Sequence, residues 1–193
     1  MDRPWLRSAQ KLSYTNPEKF LRTLRDFEYT LSVTNTPKAI RNLRTNGLKD
    51  AREQRQAALF CYGMSVRIGK SVYFASHEDQ DYDFVATWLV EDVRHFSVVQ
   101  LKEVVPTAIN PDANIQSVIA GLGKYKDSHD LTVAVHLNQA ARFDPNALRP
   151  EILNIASLWV FGSTSPDQSC WSLWGNFTEE NPYETPFSYP NQT

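Results

Sequence analysis

The sequence is poor in the residues that staple, span or repeat. Two cysteines, Cys61 and Cys170, stand in 193 residues. They lie far apart and lack the paired spacing of a zinc site, so both are read as reduced thiols, buried or half-buried. The four histidines share no spacing that suggests zinc either. Seven glycines leave no glycine-rich phosphate loop. Gly121-Leu122-Gly123-Lys124 lacks a third glycine and follows a helix rather than a strand, so it is read as a helix terminus. No serine or cysteine sits in a nucleophile setting such as GxSxG. No apolar run approaches the roughly 20 residues of a membrane span. No basic-then-apolar leader opens the chain, so a cytoplasmic location without a membrane partner is expected. Repeats and low-complexity tracts are absent. The net charge of −2 argues for no partner.

What is present is an ordinary globular composition, 41% hydrophobic and 22% charged. The length suits one domain with a small appendage, and it is enough to bury a core without staples. Charge is unevenly spread. The first 70 residues carry 14 Lys+Arg against 6 Asp+Glu, and the rest carry 6 against 16. Such a division suits a phosphate-binding face beside a metal site, or two halves that neutralise each other across helix surfaces.

Along the chain, Asn16-Pro17-Glu18 reads as a helix start, followed by Phe20, Leu21, Leu24, Phe27 and Leu31 at helical spacing. Thr36-Pro37 should open a short helix carrying Ile40 and Leu43, with a turn at Asn46-Gly47. A longer helix is expected from about Asp50 to about Val66. From Ser71 the texture turns to strands: Ser71 to Ala75, Phe84 to Val90, and Phe96 to Val105, with the acidic run His77 to Asp81 and a turn at Glu91 to Arg94 between them. A helix should open at Asn110-Pro111-Asp112. A strand should follow over Leu131 to Leu137, a helix over Asn146 to about Phe161 with Pro150 near its start, and a strand over Cys170 to Trp174. The tail from Glu179, rich in Pro, Asn and Thr, should be irregular. Trp159, Trp171 and Trp174 read as core. The result is an α/β sandwich, a mixed central sheet of a three-strand antiparallel meander plus crossover strands, flanked by helices.

The hairpin is the place to look for chemistry. Residues two apart on a strand share a face, so Gln100 and Lys102 point the same way. A two-residue turn centred between Asp92 and Val93 sets Asp83 opposite Lys102, and one centred between Glu91 and Asp92 sets it opposite Gln100. Both registers gather the three residues on one patch, whereas a one-residue slip scatters them. A carboxylate, a backbone carbonyl and an ammonium together suit phosphodiester hydrolysis. They can hold a divalent ion, orient water and neutralise developing charge.

With Asp83 before one strand and Gln100-Leu101-Lys102 on the next, the chain resembles the PD-(D/E)XK (restriction-endonuclease-like) nucleases, in a QxK variant, from about residue 50 to about residue 175. That family carries the pair within a core of helix, three-strand meander, helix and strand. The resemblance implies a restriction-endonuclease-like core over 46–178, a helical N-terminal extension over 1–45 and the irregular tail over 179–193. It implies Asp83, Gln100 and the Leu101 carbonyl as ligands of Mg2+ or Mn2+, Lys102 as the catalytic lysine, and Glu53 as an assisting acid from the preceding helix. Two departures stand out: Gln100 occupies the place of an acid, and no proline precedes Asp83, with Asp81 competing for its role. The implied activity is cleavage of DNA, gripped by the basic N-terminal helices through residues such as Arg52 and Arg55, with Lys124, Tyr125 and Lys126 on the backbone. Many nucleases of this fold dimerise, which implies a homodimer or protein partner besides DNA. The competing expectation is a degenerate module of the same fold, acting in nucleic-acid binding or as a protein-interaction subunit.

Overall fold

In the computed structural model, residues 4–32, 49–77, 82–125, 128–139, 143–148 and 153–190 are described. The chain is mixed α/β. The expected helix near Thr36-Pro37, the turn at Asn46-Gly47, Pro150, Asp81 and Lys126 lie outside those residues. Helix α1 spans Pro4–Ala9 and α2 spans Pro17–Ser32. The start of α2 is the one the sequence announces: Asn16 Oδ1 accepts the Lys19 N–H at 2.9 Å, and Pro17 needs no partner for an N–H it lacks. Helix α3 runs from Lys49 to Ile68, and α4 is a short helix over Ile115–Ala120. The strands are β1 Tyr73–Ser76, β2 Phe84–Val90, β3 Val93–Val104, β4 Ser128–Leu137, β5 Ile155–Ser163, β6 Cys170–Gly175 and β7 Tyr183–Ser188. They follow one another in chain order in a seven-stranded mixed sheet.

The described residues fall into two compact units. The first takes those within Met1–His77, Phe84–Phe96 and Pro190–Thr193. Here α2 packs on α3 through buried Leu21, Ala57 and Ala58, and Arg55 Nε meets Glu28 at 3.3 Å. Aromatic edges join helices to strands, Phe20 to Phe74 at 5.7 Å and Phe60 to Phe84 at 6.3 Å between centroids. Strand β1 pairs antiparallel with β2. Glu91 and Asp92 alone separate β2 from β3, and both adopt positive φ, 46° and 65°, the twist that suits a two-residue hairpin. Trp88 stacks on His95 at 5.5 Å, which is the pairing expected around a turn centred between Glu91 and Asp92.

The second unit takes the residues within Glu78–Asp83 and Ser97–Tyr189. Strands β3, β4 and β5 are mutually parallel, and β6 and β7 add antiparallel. In β4 the six residues Leu131 to His136 are all buried, Thr132 and His136 included, the continuous burial of a parallel strand covered on both faces. Ser97, Thr132 and Ser157 link β3, β4 and β5 by hydroxyl contacts of 2.9 Å on the face that Val99 shares.

Several expectations are corrected here. The helix expected over Asn146 to Phe161 is absent: Pro145–Ala147 make a single 3-10 turn, and Ile155–Ser163 form β5 between β4 and β6. Leu158, Val160 and Phe161 fill a strand core there, and β-branched and aromatic residues favour that environment over a helix. The helix expected from Asn110 starts later, because Asn110 Oδ1 takes the Asp112 N–H in a local turn and Asn114 caps Ser117 instead. The tail is not irregular. Tyr183–Ser188 pair with β6, and Pro186 is tolerated opposite Ser172 because β7 ends the sheet. Of the two thiols, Cys61 is buried as expected, whereas Cys170, expected buried or half-buried, is exposed at the start of β6. Trp171 and Trp174 are core, and Trp159 is half-buried. Gly175 has φ +143°, and a Cβ there would stand 2.7 Å from the Trp159 ring, so only glycine fits.

The β5–β6 loop is held by Asp167. Hydrogen bonds from the Ser165 hydroxyl (2.6 Å), then the Ser169 N–H (3.1 Å) and hydroxyl (2.8 Å), pull its carboxyl down to about 2. The folded value lies below the unfolded one. The stability this cluster contributes is therefore present above the ordinary aspartate range and is lost as pH falls towards about 2. An NMR titration of the Asp167 side chain should find that low midpoint, and Ser165→Ala should move it upward. An unchanged midpoint would refute the assignment of its cause.

Candidate functional site

Asp83 lies at the bend before β2, and the second unit brings it onto the middle of β3. Its N–H donates to the Val99 carbonyl at 2.9 Å. Its Oδ2 accepts the Leu101 N–H at 2.6 Å and a short hydrogen bond from Gln100 Nε2. The contact agrees with the register set by the Glu91-Asp92 turn, in which Asp83 faces Gln100 rather than Lys102. Gln100 Nε2 also reaches the Leu101 carbonyl at 3.3 Å, and its Oε1 accepts from the Tyr125 hydroxyl at 3.4 Å. Gln100 and Lys102 sit opposite Val133 and Val135 of β4, on the same face of the sheet.

Lys102 is half-buried. Burial pushes its ammonium below the usual lysine range, and the nearby Asp83 charge works against that lowering. Its Nζ lies 5.9 Å from the centroid of the Tyr125 ring, and Lys124 Nζ lies 5.2 Å from the same centroid. The 3-10 turn Gly121–Lys124, which ends the helical segment as expected, delivers Lys124 and Tyr125 to this place. Asp83, Gln100, Leu101, Lys102, Lys124 and Tyr125 therefore form one cluster.

The remaining candidates belong to the first unit, on α3. Glu53 pairs with Lys49 one turn away at 3.5 Å, Arg55 pairs with Glu28 of α2, and Arg52 is half-buried. His95 is exposed and carries no cluster beyond Trp88. That unit also holds an open cleft of about 460 Å3, lined among others by Lys70, Tyr73, Trp88 and Arg94. Charges of both signs at its rim and its openness make it a poor setting for fixed chemistry.

No family model, curated protein or solved structure matches the chain.

The chemistry therefore rests on the cluster's own atoms. Among the described residues, no three His, Cys, Asp or Glu side chains converge as a metal cage. What the cluster offers a cation is Asp83 Oδ1, which takes no hydrogen bond from the described residues, the Leu101 carbonyl, and Gln100 Oε1 once the amide turns. One carboxylate oxygen with neutral oxygens fits a hard ion that keeps several waters and gains further oxygens from a substrate phosphate, as Mg2+ does. It does not fit a zinc cage. The sequence offered Tyr125 only as a contact to a nucleic-acid backbone and did not place it against Gln100. Tyr125 stands 25 residues from Gln100, and the only signal was its position between two lysines.

Proposed function

We propose that the protein hydrolyses phosphodiester bonds of DNA, with a divalent metal ion held at Asp83 and the Leu101 carbonyl, in the manner of a PD-(D/E)XK nuclease. The observation that carries the reading is Asp83 folded onto Gln100-Leu101 with the half-buried Lys102 beside it. The element order supports it too: α3, the strands β1, β2 and β3, then α4, then β4 parallel to β3. A bound Mg2+ would supply Lewis acidity and a more acidic water. Asp83 fixes its carboxylate through the Leu101 N–H, so its free oxygen is aimed rather than mobile. Lys102, half-buried, presents one ammonium to orient water or meet charge developing on the phosphate. Incubation of plasmid and linear DNA with Mg2+, Mn2+ or EDTA tests the reading. Cleavage should require the metal and disappear in Asp83→Ala, whereas cleavage that survives EDTA would remove the ion from the mechanism.

One observation favours a second reading, a module of the same fold that binds without cutting. Asp83 Oδ2 already accepts two N–H donors, so the resting site needs no cation to be satisfied. The two readings differ at Gln100. On the nuclease reading, Gln100→Glu places a second carboxylate against the ion and should raise Mn2+ affinity by about tenfold or more in calorimetry. Wild type and variant that both fail to bind Mn2+ would favour the non-cutting module.

A further inference from the structure

Lys102 and Lys124 share one aromatic ring, and neither has an ion pair or hydrogen bond among the described residues. Lys102 comes from β3 and Lys124 from the turn after α4, so the fold rather than local sequence brings the two ammoniums together. Their distances from the ring centroid, 5.9 and 5.2 Å, cap the gap between them at a length that adjacent phosphates of a strand can bridge. Two like charges drawn to one ring repel, and a bound anion relieves that repulsion. Cation–π attraction to Tyr125 offsets part of that repulsion, and the Tyr125 hydroxyl, donating to Gln100 Oε1 at 3.4 Å, fixes the ring relative to β3.

We propose that Lys102, Lys124 and the Tyr125 ring form a metal-independent clamp for a phosphate group. On the phosphodiester reading, on which the clamp rests for the identity of its ligand, this group is a backbone phosphate of the bound strand. Tyr125 is then a positioning residue. Its ring spaces the two ammoniums, and its hydroxyl ties that spacing to Gln100. Lys102 thereby serves the phosphate as well as the reacting centre, and Lys124 sets where along the strand that centre lies.

The test is binding of a short fluorescein-labelled DNA strand in EDTA, followed by anisotropy over a range of salt, with thermal melts to confirm that each variant folds. Lys124→Met should weaken binding about threefold to tenfold and lower the slope of log affinity against log salt by about 0.7, the loss of one counterion-releasing contact on a single strand. Tyr125→Phe, which keeps the ring and loses its tie to Gln100, should bind somewhat more weakly than wild type, and Tyr125→Leu should bind more weakly still although both lysines remain. A folded Lys124→Met with an unchanged salt slope overturns the clamp, and so does a wild type that binds neither the strand nor inorganic phosphate. Phosphorus NMR of inorganic phosphate separates the sources of the ligand. Lys124-dependent phosphate binding without strand binding keeps the clamp and defeats the nucleic-acid reading. Strand binding through the clamp without metal-dependent cleavage keeps the clamp and defeats the nuclease reading.

Discussion

Lys102→Ala should reduce metal-dependent DNA cleavage by about 10²–10⁴-fold, the range for losing a positioned acid, base or charge at a reacting centre, without unfolding the protein. The structural cost is small because burial disfavours the Lys102 ammonium instead of stabilising it. The sign can be followed explicitly. A lysine whose folded pKa lies below its unfolded value leaves the unfolded chain holding more protons between the two values, so stability rises with pH across that window. At neutral pH the charge is a burden on the fold, and Lys102→Met, which keeps the apolar stem, should melt at or above the wild-type temperature. Activity should run the other way with pH. If the ammonium is the working form, cleavage falls on the alkaline side through a pKa lower than that of an ordinary lysine. Two results would end this role: cutting that persists in purified Lys102→Ala, or an alkaline limb at the usual lysine value.

The second large effect is on stability. Trp171→Ala should destabilise the protein by about 3–5 kcal/mol, the cost of removing a large buried aromatic and leaving a cavity. Trp171 is 2% exposed. Its ring lies over His136 at 5.8 Å and Phe187 at 6.5 Å, and its indole N–H donates to the Gln168 carbonyl at 2.8 Å. The substitution thus removes the stack between β6 and β7 and the hydrogen bond to the Gln168 carbonyl in the same loop that Asp167 organises. Trp171→Phe should recover part of the loss, keeping the stack and losing the hydrogen bond. Denaturant unfolding that put Trp171→Ala within 1 kcal/mol of wild type would show that this stack is not a main support of the sheet.

Local signals were legible where the deciding forces are local. Asn16 and Pro17 marked the start of α2 because cap and first-turn geometry involve neighbours three residues apart. The span Phe84–Val90 was legible as β2 because apolar, β-branched and aromatic residues fill it between the acidic run and a turn. Ile155 to Phe161 reads as part of a helix because short apolar runs satisfy either period, and the tie is broken by ladders to β4 and β6 that come from elsewhere in the chain. The same holds for Tyr183–Ser188. Its proline and threonine read as irregular until an edge of β6 is there to receive it.

The candidate site divides along the same line. The sequence by itself determined that Gln100 and Lys102 share a strand face, since two-residue periodicity follows from backbone geometry alone, and it limited the productive registers for Asp83 to two. It also put an amide rather than a carboxylate at position 100, beside Asp83. Only the tertiary structure decided the register: Glu91 and Asp92 took the positive φ values of a tight turn, which places Asp83 on Gln100 and on the Leu101 N–H. Only the tertiary structure brought the Tyr125 ring, which Lys124 also approaches, to Lys102, because the crossover through α4 that returns the chain beside β3 is set by the packing of a parallel sheet and by no pattern within Gly121–Tyr125.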